Sequence, residues 1–144
     1  MIPAVVAGVA AAGLAAHGTW HRNSAVFGPV LTHLPRGENA VSITFDDGPN
    51  PRATPAILDV LRRERVRATF FVLGRHAERW PEIVRRMAID GHQLGNHGYF
   101  HRKLHRRTAA YIRDDLTRGT EQIVRASGVR PRFFRAPHGF RNPF

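Results

Sequence analysis

Asp46 and Asp47 stand side by side at the end of the run Val41-Ser42-Ile43-Thr44-Phe45, and Gly48-Pro49 closes it. Neighbouring side chains on an extended chain point in different directions, so one carboxylate can bind a metal while the other stays free to take a proton from water. The same residues also make an ordinary Asp-Gly-Pro turn. A second cluster, Asn96-His97-Gly98-Tyr99-Phe100-His101, sets two imidazoles four residues apart. A carboxylate with two histidines is a common three-ligand set for catalytic zinc, the fourth position being left to water. On a helix this spacing would put both rings on one face. Gly95, Asn96 and Gly98 instead predict a loop leaving a strand. A third cluster, Phe134-Arg135-Ala136-Pro137-His138-Gly139, also reads as a strand end running into a Pro-Gly turn.

In this order, the three clusters resemble the polysaccharide deacetylase family, the NodB-homology domains of carbohydrate esterase family 4. Thr44 to Pro49, His97 to His101 and Arg135 to Gly139 match its first three motifs, and segments 68–74 and 91–97 look like the same family. The similarity runs from about Ala40 to the last residue. The resemblance implies a hydrolase that removes N-acetyl groups from an N-acetylated polysaccharide, either a chitin-like oligomer or the glycan of peptidoglycan. It also implies a divalent metal cofactor, Zn2+ being the first choice, although cobalt, nickel or manganese suit the same donors. By the same resemblance Asp47, His97 and His101 are the metal ligands and Asp46 is the general base. Arg135 is implied to pair with Asp46 and orient it, and the main-chain N–H of His138 to donate to the oxyanion.

Departures from the family pattern set further expectations. Gly98 stands where Ser or Thr is usual, which predicts a looser loop. Arg102 replaces a common proline and His138 a common tyrosine, which predicts an altered wall facing the substrate. Phe144 arrives before the family's fourth and fifth motifs, which carry a late aspartate and a late histidine, the usual general acid for the leaving amine. The alternative expectation is therefore a truncated, catalytically impaired metal-binding remnant, or half of a split protein.

Elements that could position these clusters alternate along the chain. Strands are expected at 40–45, 67–73, 92–95 and 131–135. A helix near 54–64 has Thr54 as its N-cap, Pro55 in its first turn and Ile57, Leu58 and Leu61 on one face. A second helix starts around Pro81, buries Ile83, Val84 and Met87 and ends at Gly91; a third runs from about Thr108 to Ser127 and closes at Gly128. The alternation predicts an α/β fold with a parallel sheet, which the resemblance makes an incomplete, distorted (β/α) barrel of the NodB type with its site at the strands' carboxyl ends. About four βα units cannot close a barrel, so the last strand should keep an unpaired apolar edge and the isolated chain should be marginal or prone to aggregate.

The rest of the 144 residues reads differently. Residues 1–21 are apolar, with no charge before Arg22, and are expected to form a helix serving as a membrane anchor or a signal-like segment. Residues 22–39 read as a linker and 40–144 as the partial deacetylase domain. This places the protein in the cell envelope, exported or anchored to a membrane. The absence of cysteine excludes disulfides and thiolate metal sites. The formal net charge of +11 invites a nucleic-acid reading, yet the arginine runs fall on outer helix faces without interleaved aromatics, so no nucleic acid is expected. His17, His21, His33, His76, His92 and His105 receive no role, and oligomeric state is open.

Overall fold

The computed structural model of the chain describes residues 2–21, 23–33, 35, 37 and 39–141. The linker expected at 22–39 and the end of the domain expected at 40–144 therefore lie partly outside the described residues.

Four parallel strands form one sheet in the order β1-β2-β3-β4: β1 (Thr44–Gly48), β2 (Thr69–Val72), β3 (Gln93–Asn96) and β4 (Phe133–Phe134). Each is followed in space by its successor in sequence, the arrangement that successive βα units of an unclosed barrel produce. Helices α2 (Ala53–Arg63), α3 (Gly74–Arg79), α4 (Pro81–Ile89) and α5 (Ala109–Ser127) make the connections. The core is built from the apolar stripes of these helices and the outward residues of the strands. Leu58, Leu61, Phe70, Val72, Ile83, Val84, Met87, Leu94 and Ile123 pack together there. Strand alternation turns Phe71 to the opposite face from Phe70 and Val72. There it lies over Gly95, whose missing side chain makes room for the ring.

Helix expectations hold closely where a sequence stop signal exists. Helix α4 begins with Pro81 and is followed by Gly91 at φ 79°, and α5 is capped by the Thr108 hydroxyl and closed by left-handed Gly128. The N-cap expected at Thr54 is corrected. Helix α2 starts one residue earlier, and Asn50 Oδ1 accepts from the N–H groups of Arg52 and Ala53, while Thr54 turns back to accept from Asn50 N–H. The strands expected at 40–45, 67–73 and 131–135 start too early, and the one expected at 92–95 is displaced by one residue. β1 begins at Thr44 rather than Ala40, because β1 is an edge strand and Val41, 90% exposed, has no packing partner to hold it. The short α3 was not anticipated. Its first residue, Gly74, reaches so close to Gly119 of α5 that a side chain at Gly74 would lie 2.7 Å from the Gly119 Cα.

Residues 1–21 do contain a helix, α1 (Ile2–Trp20). The membrane-span reading is corrected to this extent: among the described residues, no helix is long and apolar enough to cross a membrane. Ala and Gly dominate α1, and such small side chains carry little apolar surface. The far end of the described chain returns to the end of α1 and the turn after it: Arg141 N–H donates to the Thr19 carbonyl, and the Arg141 side chain to the carbonyls of His21 and Ser24. The expected apolar edge is present, as Phe133 and Phe134 of β4 are 40% and 44% exposed.

Candidate metal centre and active site

Asp47 lies at the carboxyl end of β1, where the pairing with β2 is irregular between Phe45 and Gly48. This irregularity separates the two carboxylates. Asp47 takes a left-handed backbone, φ 66°, and directs its carboxylate toward the loop after β3. Oδ1 of Asp47 lies 3.3 Å from His97 Nε2 and 3.0 Å from His101 Nε2. The three ligand atoms lie within 4.8 Å of one another. The loop between the histidines is not helical, as its glycines predicted, and His101 is itself left-handed at φ 60°.

The hydrogen bonds say which atoms face each other. His97 Nδ1 donates to the carbonyl of Arg135 at 2.7 Å, which leaves Nε2 as the ring nitrogen turned to Asp47. An imidazole nitrogen and a carboxylate oxygen this close need a cation between them, either a proton or a metal ion. For a tetrahedral ion bonded at roughly 2.0–2.2 Å, neighbouring ligand atoms lie about 3.3–3.6 Å apart; the Asp47–His97 separation of 3.3 Å falls in that range and the Asp47–His101 separation of 3.0 Å is shorter. Burial pushes the His101 imidazole below its ordinary pKa; Asp47 opposes the shift, while His97, His138 and Arg75 reinforce it. The shift favours the neutral imidazole, the form a metal ligand must take.

Asp46 stands beside this set and points elsewhere. Arg135 Nη1 donates to Asp46 Oδ1 at 2.7 Å and to Thr44 Oγ1 at 3.0 Å, and the guanidinium lies 4.0 Å above the Phe71 ring. Phe71 and Thr44 thus hold the arginine that holds Asp46. His138 sits in the turn Pro137–Gly139 at φ 59°, its ring 4.6 Å from that of His101. The geometry brings together all six residues singled out from the sequence: Asp46, Asp47, His97, His101, Arg135 and His138.

The looser loop expected from Gly98 is corrected. Gly98 has φ 78°, and a Cβ there would lie 2.6 Å from Asp115 Oδ2. Asp115, only 1% exposed, accepts from the N–H groups of Tyr99 and Phe100, and Asn96 Oδ1 accepts from Gly98 N–H at 2.7 Å. Glycine lets the loop close on this clamp. Sequence reasoning missed Asp115, although a carboxylate three residues after Ile112 and four before Gly119, on the buried face of a helix, was a visible signal. It also missed His76, whose Nδ1 donates to the Asp47 carbonyl at 2.8 Å and supports that residue's left-handed backbone. Nothing in the spacing of His76 distinguished it from the other scattered histidines.

Comparisons with known proteins identify the family. Residues 33–143 match the polysaccharide deacetylase family. A peptidoglycan-N-acetylglucosamine deacetylase of Bacillus cereus is 43% identical over 105 residues, 73% of this chain and 38% of that protein. A chitooligosaccharide deacetylase of Bradyrhizobium sp. is 44% identical over 104 residues, 72% of this chain and 48% of that protein. Among solved structures, the Bc1960 peptidoglycan N-acetylglucosamine deacetylase superposes with a TM-score of 0.72 at 41% identity, covering 74% of this chain and 50% of that one. The chain thus spans half or less of the length of these relatives. With the family's first three motifs gathered at the carboxyl ends of its parallel strands, the chain belongs to the polysaccharide deacetylase family.

Proposed function

We propose that the chain carries a metal-dependent deacetylase site that hydrolyses the acetamide of an N-acetylated glycan, in the cell envelope where peptidoglycan is found. The observation that supports this best is the convergence of ligand atoms from Asp47, His97 and His101 beside a second, separately held carboxylate. In this reading Asp47, His97 and His101 hold a divalent ion, with zinc the first candidate. When bound, such an ion supplies Lewis acidity toward the acetamide carbonyl and acidifies water.

The chain's own residues do the rest. Asp46 accepts the proton of the attacking water. Arg135 occupies its Oδ1, which fixes the carboxylate plane and leaves the other oxygen for the proton. The main-chain N–H of His138, presented by a tight left-handed turn, is the proposed donor to the developing oxyanion. Expelling the amine takes a proton, which Asp46 has just acquired. His97 is held in register by the same residue that orients the base, since the Arg135 carbonyl takes its Nδ1–H.

Three of the four described non-glycine residues with positive φ are Asp47, His101 and His138. Such backbones cost of order 1–3 kcal/mol each and collect where function over-determines the structure. The test is Asp46→Asn in the metal-loaded protein, read as acetate release from chitooligosaccharide and from peptidoglycan glycan. Turnover is expected to fall by about 10²–10⁴-fold with metal content unchanged. Unaltered turnover would remove Asp46 from the chemistry.

A further inference from the structure

The segment that follows the second metal-ligand histidine carries Arg102, Lys103, Arg106 and Arg107 within six residues. It is not a loose tail. Leu104, 3% exposed, pins its middle in a short turn (Leu104–Arg106), and Thr108 caps α5 directly after it. Burying Leu104 turns its basic neighbours outward around a hollow of about 350 Å3, lined by His101, Arg102, Lys103, Arg106, Arg107 and His138. The hollow shares two walls, His101 and His138, with the site itself.

Three of its cations, Arg102, Lys103 and Arg106, lack an acidic partner among the described residues. Some basic groups on the helices have acidic neighbours: Arg62 with Asp59, Arg63 with Glu64, Arg86 with both Asp59 and Asp90, and Arg118 with Asp114. No carboxylate lines this hollow. Crowded cations of one sign in a concave wall repel one another, and an anion placed among them relieves that repulsion. The volume suits one sugar-sized group with an acidic substituent.

We propose that this hollow is a subsite for a carboxylate carried by the glycan itself, on the sugar next to the acetamido group being hydrolysed, as in the lactyl ether of muramic acid. The inference rests on the deacetylase reading and narrows it from neutral chitin-like chains to acidic glycan.

The probe is the disaccharide of N-acetylglucosamine and N-acetylmuramic acid with a free lactyl carboxylate, set against its methyl ester, with binding to the full chain followed by calorimetry. The acid is expected to bind about fivefold tighter or more, the scale of a few partly exposed charge pairs, with the advantage shrinking as salt rises. Lys103→Gln combined with Arg106→Gln should bring the ratio of acid to ester toward one, Arg106→Lys should keep it, and Arg62→Gln on the far helix should not alter it. Equal or undetectable binding of the two forms, or a preference that survives the paired substitution, overturns the proposal. So does salt-sensitive retention of DNA that the acid disaccharide fails to displace, which would give the hollow to nucleic acid. Acetate release, assayed on both the acid disaccharide and neutral chitooligosaccharide, separates the two readings. Turnover with no acid preference leaves the hydrolase and removes the subsite, whereas acid preference without turnover does the reverse.

Discussion

At the scale of single residues, the site depends on backbone conformations that most side chains avoid. Gly98 is the clearest case, because it combines φ 78° with a neighbour, Asp115 Oδ2, standing 2.6 Å from where a Cβ would be. Alanine there meets the left-handed penalty and pushes against the buried carboxylate that holds Tyr99 and Phe100. Gly98→Ala is expected to destabilise the fold by roughly 2–4 kcal/mol and to weaken metal binding, read by urea unfolding and by metal titration. Unchanged stability would mean that Asp115 can move aside at no cost. Asp46, Asp47, His97 and His101 stood out in the sequence as acids and imidazoles bracketed by Gly and Pro, whereas Arg135 and His138 were singled out only through the family resemblance. Asp115 and His76 act through backbone groups, the N–H of Tyr99 and Phe100 and the carbonyl of Asp47. One-dimensional spacing carries no record of which main-chain atom a side chain will find.

At the scale of elements, helices were easier to read than strands, and α5 against β1 shows why. A helix is bounded by local chemistry, here the Thr108 cap and Gly128, and its stripe of Ile112 and Ile123 repeats within its own length. The start of β1 is decided by whether a neighbouring strand accompanies it, and Val41 and Ser42 alternate correctly yet lie outside the paired residues. The junction of α4 and β3 adds a prediction. His92, 7% exposed, accepts from Ala68 N–H through Nδ1, and its Nε2 has no partner among the described residues. Burial holds its pKa below the ordinary histidine value; Asp90 opposes this, and Arg67 and Arg86 add to it. The unfolded chain therefore takes up the proton first. Stability from this group is fully present above about pH 6.5 and is lost as pH falls toward the lowered folded value. His92→Gln, which keeps an acceptor for Ala68, should flatten the loss between about pH 7.5 and about pH 5 in urea midpoints. An undiminished slope would place the acid sensitivity elsewhere.

For the whole molecule, the topology makes the site a clasp across the sheet. Asp47 leaves β1 and the two histidines leave β3, with β2 between them, so an ion held by the three would join strands that do not pair with each other. The order of the strands was legible from the alternation of apolar runs. The lateral reach of the clasp was not, because it follows from the irregular pairing at the end of β1 and from the left-handed Asp47. Both sheet edges are open among the described residues, and β4 presents Phe133 and Phe134 to solvent, so little besides packing resists separation of the outer strands. A ligand that binds only the folded form stabilises by mass action, about 2.7 kcal/mol at a hundredfold excess over its Kd. In a domain of this size that raises Tm by roughly 10 °C or more. Addition of Zn2+ is expected to produce such a shift, a chelator to reverse it and Asp47→Ala to abolish it, while Asp46→Asn keeps it because Arg135, not the ion, holds that carboxylate. Calorimetric scans of the three proteins with and without zinc provide the measurement. A shift that persists in Asp47→Ala would place the ion away from the clasp.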